Sequence, residues 1–321
     1  MRVIGIRAFG PPEVLGVDER PEPEPGAGQA VMAVETAGVG YGDVIVRSGR
    51  YPVPLPYVPG IEVGGEVVAV GPGTDRSLLG RRVVATTVGN AGGYAERALV
   101  PVAWTFPVPD GMPLATALAV FQAGAVASGM LSAMRVREGE TVLITAAAGR
   151  IGSLLVQFAK AGGATVIGAA GAGKRAAVED FGADHVVDYG TEDWPDRVRG
   201  LTGGGVDVVL DAVGGEVAAQ ALRAAADGRG RFGVYGFASG DWLSLDAQEI
   251  ARRGLTVAGP LGMVFAKPEA EQRADAERAL AAAADGRLRP RIHATFPLDR
   301  AADAHAEIEK RRSVGAVLLT A

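Results

Sequence analysis

The chain has 321 residues, 48% of them hydrophobic and 21% charged, a globular composition long enough for two cores. Its net charge of -5 supplies no basic field, which excludes nucleic acid and anionic membrane surfaces as electrostatic partners. The absence of cysteine excludes disulfides, thiol catalysis and thiolate metal sites. His185, His293 and His305 stand far apart with no ligand spacing, so no metal site is expected. No apolar run approaches the ~20 residues that span a bilayer. Met1–Arg7 reads as a first strand, not as a signal peptide, and the expected compartment is the cytoplasm.

Residues 1–110 are rich in Gly, Pro and Val, with short apolar runs between turns. Val31–Val34, Gly64–Val70 and Arg82–Thr87 read as strands, and no long helical pattern appears among them. The character changes near residue 112, where Leu114–Met134 is helix-compatible despite Gly124 and Gly129. A strand–helix alternation follows. Strands are expected at Thr141–Thr145, Thr165–Gly168, His185–Asp188, Val206–Leu210, Arg231–Tyr235 and Leu255–Ala258, with helices at Ile151–Ala161, Lys174–Phe181 and Glu216–Ala226. Near-continuous Val, Ile and Leu in these strands predicts a parallel sheet covered on both faces. A helix over 268–285 precedes a return to β character at Ile292–Phe296 and Ala316–Leu319, with a helix over 299–311 between them.

The strand Thr141–Thr145 runs into Ala146-Ala147-Ala148-Gly149-Arg150-Ile151-Gly152 and then into a helix, the context that dinucleotide binding requires. Gly149 is expected to let the backbone approach a pyrophosphate, and Gly152 to let the helix pack on the strand. The helix start presents N–H groups and a positive dipole end to the phosphates. The alternative is a tight turn with no ligand. NAD-binding sheets usually end the second strand with an acid; here that end reads Val166-Ile167-Gly168-Ala169-Ala170-Gly171, followed by Lys174 and Arg175. Cations suit a 2′-phosphate and favour NADPH. The alternative for Lys174 and Arg175 is a solvated helix start. Arg150 either pairs with the pyrophosphate or faces solvent.

Ordered motifs along the whole chain are similar to the zinc-independent quinone oxidoreductases, the zeta-crystallin-like branch of the medium-chain dehydrogenase/reductase superfamily. They include Phe9–Leu15, Ala37-Gly38-Val39, Arg47–Pro52, Pro59–Gly65, Gly92–Glu96, Ala146–Gly152, Gly182–Val186, Asp211–Gly215 and Gly236–Gly240. The resemblance implies an α/β protein: a GroES-like β-rich catalytic domain, residues 1–121 and 262–321, with an inserted Rossmann domain (a doubly wound parallel sheet), residues 122–261. It implies a homodimer joined through the Rossmann sheet edge near Leu255–Ala258. Zinc-dependent relatives carry ligands where this chain has Gly40 and Ile61.

The resemblance further implies hydride transfer from NADPH to a quinone or another conjugated carbonyl. Tyr51 lies where related enoyl reductases carry a proton-donating tyrosine, or else it shapes the wall; Tyr41 is a second candidate, or a packing aromatic. Gln122, Ala148, Gly149, Arg150, Ile151, Gly152, Gly171, Lys174, Arg175, Val213, Gly236, Phe237, Ser239 and Arg311 are the expected cofactor contacts, with a solvated helix end as the alternative for Arg311. Asp43 and Glu62 are family-like acids that read mainly as turn or domain hydrogen-bonding groups. Two polar groups usual in the family are missing, at Gly40 and in Gln122-Ala123-Gly124-Ala125-Val126-Ala127. Their loss points to a roomier, more apolar site. The readings are therefore a quinone reductase, an enoyl or alkenal reductase for a bulky polyketide-like substrate, or an NADPH-binding structural or sensor protein without turnover.

Overall fold

The computed structural model describes residues 1–321. The chain forms two compact units, Met1–Gln122 with Pro290–Ala321, and Ala123–Arg289. The first opens with β1 (Arg2–Gly5) and β2 (Gly16–Glu19), an antiparallel pair. Next come β3 (Gln29–Val39), helix α1 (Tyr41–Arg47), β4 (Glu62–Val70), β5 (Arg82–Thr86), β6 (Arg97–Pro101) and β7 (Thr105–Pro107). Strand β3 is the spine, pairing antiparallel with both β4 and β6. Helix α1 escapes a periodicity reading because seven residues give too few turns. Its start is held by the side chain of Asp43, which accepts from the Gly40 N–H at 2.8 Å.

Helix α2 (Leu114–Ala133) links the units, with residues 114–122 in the first and 123–133 in the second. It corrects the expectation about apolar runs. Its 20 residues carry no charge, and an 18-residue window reaches a mean hydropathy of 1.6, enough to cross a membrane by length and composition. Uncharged Thr116, Gln122 and Ser128 interrupt the run in sequence without lowering the average far. The same window is 67% buried inside the protein, as core helices are.

The second unit contains β8 (Thr141–Thr145), α3 (Arg150–Ala161), β9 (Thr165–Ala170), α4 (Arg175–Asp180), β10 (His185–Asp188), α5 (Trp194–Thr202) and β11 (Val208–Asp211). It continues with α6 (Gly215–Ala224), β12 (Arg231–Val234), α7 (Ala247–Arg253), β13 (Thr256–Ala258), α8 (Pro260–Phe265) and α9 (Glu269–Ala284). All sheet neighbours are parallel, in the order β10-β9-β8-β11-β12-β13. The chain leaves β8 toward one edge and returns to the other side at β11, so the topological switch lies between those strands. Val142, Leu143 and Ile144 are fully buried, as a central parallel strand requires. Trp194 and Val198 of α5 pack with Leu143, Ile167 and Phe232. The unit runs on to Arg289, past the boundary expected at 262. A Cβ on Gly129 of α2 would stand 2.8 Å from Val264 of α8 and 3.1 Å from Asp275 of α9. This close packing, invisible in composition, keeps α8 and α9 with the parallel sheet.

The last segment returns to the first unit with β14 (Ile292–Pro297), α10 (Ala301–Glu309) and β15 (Ala316–Thr320). Strand β15 lies parallel to β14 and antiparallel to β3, completing a seven-stranded sheet. A buried polar chain ties α10 to α1. His305 Nε2 meets the Tyr94 hydroxyl at 3.1 Å, and burial, reinforced by the Asp43 carboxylate, raises the Tyr94 pKa. Arg47, 1% exposed, pairs with Glu309. Burial, reinforced by the Arg47 charge, lowers the His305 pKa to about 3, so the imidazole is neutral near neutral pH. An unfolded chain protonates this group near its ordinary value of 6.5 while the folded chain refuses the proton. Stability is therefore fully present above that value and falls with decreasing pH, by up to about 1.4 kcal/mol per pH unit. His305→Gln should remove this component: urea unfolding near pH 7 and near pH 5 should show a smaller loss for the variant than for the parent.

Candidate functional site

The turn after β8 is built by two backbone features. Ala146 adopts φ +47°, a left-handed conformation that costs a non-glycine residue about 1–2 kcal/mol. Its carbonyl accepts from the Gly149 N–H at 2.8 Å, while Ala147 N–H donates to Ala169 on β9 at 3.1 Å. Gly149 is extended at φ -72° and forms the N-cap of α3 without a side-chain cap. The close approach falls on Gly152, where an added Cβ would lie 2.2 Å from the Ala146 oxygen. Only a bare α-carbon lets α3 sit this tightly on the end of β8. Ala148 is buried, and Arg150 and Ile151 are half-buried at the first turn of α3.

Directly beside this turn, Thr145 and Asp211 close the switch point. Both are fully buried, and the Thr145 hydroxyl donates to Asp211 Oδ1 at 2.6 Å. The Thr145 oxygen accepts from Ala212 N–H at 3.0 Å; Asp211 also accepts from Gly214 N–H at 2.9 Å and Val213 N–H at 3.2 Å. Burial raises the Asp211 pKa, and these three hydrogen bonds oppose the rise. The pair was missed as a functional element by sequence reasoning. Its sequence signals are an acid ending the apolar strand Val208-Val209-Leu210-Asp211 and the family-like motif Asp211–Gly215.

At the end of β9, Gly171 precedes a single 3-10 turn, Ala172–Lys174, so α4 starts at Arg175. Lys174 is half-buried, and desolvation lowers its pKa. Arg175 is turned elsewhere: it donates to the Val186 carbonyl of β10 at 2.7 Å and pairs with Glu179 at 3.2 Å. The two cations are therefore not equivalent. At the end of β12, the segment from Gly236 to Asp241 folds onto the β11–α6 turn. Ala238 N–H donates to Ala212 at 3.0 Å and Ser239 N–H to Val213 at 2.7 Å. Gly214, at φ +75°, leaves room for the Asp241 carbonyl, which would stand 2.1 Å from any Cβ there. Val213, Gly236, Phe237 and Ser239 thus converge at one corner of the sheet, beside the switch point.

The remaining candidates lie in the first unit. Tyr41 opens α1, and its hydroxyl accepts from Arg50 at 3.5 Å. Tyr51 is 66% exposed. The Gln122 side chain donates to the Thr86 hydroxyl at 2.9 Å. Arg311 is exposed just beyond α10. Asp43 is a tie between turns, accepting from the N–H groups of Gly40 and Gly60 at 2.8 and 3.2 Å. The buried Glu62 carboxylate lies over Gly38, where a Cβ would meet it at 2.3 Å. Gly40 and Ile61 offer no metal donor.

The family description "Alcohol dehydrogenase GroES-like domain" matches residues 26–110, and "Zinc-binding dehydrogenase" matches 151–281. A quinone oxidoreductase of Pseudomonas aeruginosa is 34% identical over 98% of this chain and 98% of its own. A 2-haloacrylate reductase of a Burkholderia species is 32% identical over 98% and 97%. The structure of Escherichia coli quinone oxidoreductase complexed with NADPH superposes with a TM-score of 0.93, at 28% identity and full coverage of both chains.

The chain belongs to the zinc-independent quinone oxidoreductase branch of the medium-chain dehydrogenase/reductase superfamily.

It is an oxidoreductase whose first unit is the GroES-like domain and whose second unit is the Rossmann domain. Within that Rossmann domain, α3 should not tolerate any side chain at position 152. Gly152→Ala forces a methyl against the Ala146 carbonyl and should cost about 1–3 kcal/mol in urea unfolding. Gly171→Ala, where nothing lies within 4 Å of the added carbon, should change stability little by the same measurement.

Proposed function

We propose that this oxidoreductase binds NADPH on the Rossmann domain and reduces a quinone or another conjugated carbonyl. The observation that carries the reading is the Ala146–Gly152 turn, with Lys174 and no carboxylate at the end of the neighbouring strand β9. The donor set fits the group. The uncapped start of α3 and the small residues of the turn leave room for a pyrophosphate. A half-desolvated ammonium at Lys174 gains more from a 2′-phosphate than a fully solvated one would. Arg150, Ile151 and Gly171 border the same edge; Arg175, committed to Val186, contributes through the field and not by a direct bond. On the other side of the switch point, Gly236, Phe237 and Ser239 lie along the nicotinamide half, and Val213 near the adenosine ribose. Gln122 and Arg311 complete the set by resemblance. The E. coli relative, solved with NADPH, supports the cofactor.

When bound, the nicotinamide supplies the hydride. The protein's task is to orient the acceptor and deliver the balancing proton. Tyr51 and Tyr41 are the proposed donors. Arg50 lies at the Tyr41 hydroxyl, 3.5 Å away. The 2-haloacrylate reductase relative favours a second reading, reduction of an activated alkene, which needs the same proton from the same side chains. A homodimer is proposed through β13, which pairs only with β12 and so presents one open strand edge.

Lys174→Ala should weaken NADPH binding about tenfold and leave NADH binding nearly unchanged, measured by calorimetric titration. Equal losses for both cofactors would refute the phosphate assignment. Steady-state NADPH oxidation with 1,4-quinones should exceed that with 2-enones; the reverse order selects the alkene reading. Binding without oxidation of any acceptor leaves a sensor protein. Tyr51→Phe should lower kcat about a hundredfold or more. Full turnover in that variant would move the proton to Tyr41, tested in turn by Tyr41→Phe.

A further inference from the structure

Helix α1 carries both proposed proton donors, Tyr41 at its first position and Tyr51 just past its end. Seven residues are too few for a helix to be stable alone, so its neighbours must hold it. The Arg50 N–H donates to the Ile45 carbonyl at 3.1 Å and the Tyr51 N–H to the same oxygen at 3.5 Å, so the segment to Tyr51 hangs from α1. At the start of α1, Asp43 ties Gly40 to Gly60. At its end stands Arg47, 1% exposed, whose side chain pairs with Glu309 at the last position of α10. The Arg47 carbonyl accepts from Gly10 N–H at 3.1 Å. Gly49, at φ +81°, packs so closely on Phe9 that an added Cβ would stand 2.9 Å from the Cβ of that ring's residue.

Local helix energetics and stability do not account for the Arg47–Glu309 pair. A carboxylate at the last position of a helix opposes its dipole. Nε and Nη1 of Arg47 are buried without a hydrogen-bond partner. A buried ion pair with unmatched N–H groups is no better for stability than an apolar side chain of similar volume. What the pair supplies is direction. Asp43, Val44 and Arg47 form the buried face of α1. Tyr41 lies six residues before Arg47, roughly 600° of winding and so about 120° away around the helix axis. Any rotation of α1 therefore swings the Tyr41 hydroxyl, and a planar guanidinium held by α10 resists that rotation. We infer that Arg47 is a positioning residue for proton delivery. Through Glu309 it sets the rotation of α1, and with it the direction of Tyr41 and the course of the chain to Tyr51. This rests on the reading of those tyrosines as the proton donors.

The test compares Arg47→Met, Arg47→Lys and Glu309→Gln with the parent protein. Arg300→Met, which breaks an exposed pair with Asp303, serves as the control and should match the parent. Arg47→Met should lower kcat about ten- to a hundredfold, since a misplaced donor loses its near-attack geometry. The solvent deuterium isotope effect on kcat should rise while KM for NADPH holds, and Arg47→Lys should recover part of the loss. Labelling with 3-fluorotyrosine, the Tyr41 resonance assigned through Tyr41→Phe, gives a readout without turnover. Arg47→Met and Glu309→Gln remove opposite charges, so an altered field alone moves that resonance in opposite directions. Lost orientation broadens it, or moves it the same way, in both variants. Opposite shifts or none would overturn the inference, as would a kcat that falls only as far as the folded fraction does in urea. If Arg47→Met does not fold, Arg47→Lys and Glu309→Gln carry the same measurements, the Glu309 side chain being 38% exposed. If Tyr41→Phe and Tyr51→Phe both keep full turnover, or the parent oxidises NADPH with no acceptor, the donor reading fails by itself. The fluorine spectra then decide whether Arg47 orients Tyr41: broadening or shifts of one sign sustain it, and opposite shifts or none refute it.

Discussion

A tight approach in the Rossmann domain, α3 against the end of β8, governs what surrounds it. With no side chain at Gly152, the helix start comes to rest on the Ala146 carbonyl, and Ala146 takes up a left-handed conformation to present it. That geometry brings the uncapped N-terminus of α3 to the carboxyl edge of the sheet. It also leaves Thr145 beside Asp211, so that one short hydrogen bond joins the two strands flanking the switch point. The turn after β11 is fixed by the same carboxylate through Val213 and Gly214. The loop after β12 then rests on that turn. Three strand ends are therefore coupled through backbone contacts and one buried acid, with few side chains directly involved.

The GroES-like domain solves a different problem. Its sheet is built around β3, but its functional loops hang on polar groups that are almost fully buried. Asp43 joins the turns at Gly40 and Gly60, Tyr94 links Asp43 to His305, and Arg47 reaches Glu309. Burying an arginine within electrostatic reach of a buried histidine is costly unless the histidine stays neutral, and its depressed pKa meets that condition. The acids near the positions that hold zinc ligands in relatives thus serve this chain as ties. Asp43 bridges backbone N–H groups, and Glu62 covers Gly38.

Much of this architecture is legible in the linear sequence. The alternation of buried Val–Ile–Leu strands with helices announces the parallel sheet, and the strand before Ala146 together with the helix after Gly152 marks its proposed ligand-binding edge. The lack of an acid after β9 is likewise a matter of reading. Where the sequence misleads, the cause is physical. Lys174 and Arg175 look alike as neighbours, yet a carbonyl on β10 captures Arg175. Gly152, read from the sequence as the residue that lets the helix pack on the strand, does carry that contact, while the strain on Ala146 has no sequence signal. Helix α2 is helix-compatible in sequence despite Gly124 and Gly129, yet no apolar run of membrane-spanning length is read there, and the helix averages to a span-length apolar segment buried as core.

By itself, then, the sequence determined the class of fold and the absence of thiolate ligands, and it carries the proposal for the dinucleotide turn, because these follow from residue type and local periodicity. Tertiary structure decided what depends on distant partners. It made Asp211 a hinge pin between strands, neutralised His305, drew α8 and α9 into the Rossmann domain through the gap at Gly129, and set Trp242 upon Phe237 on a braced loop. None of these pairings has a local signature, since each joins elements whose separation in sequence carries no information about their separation in space.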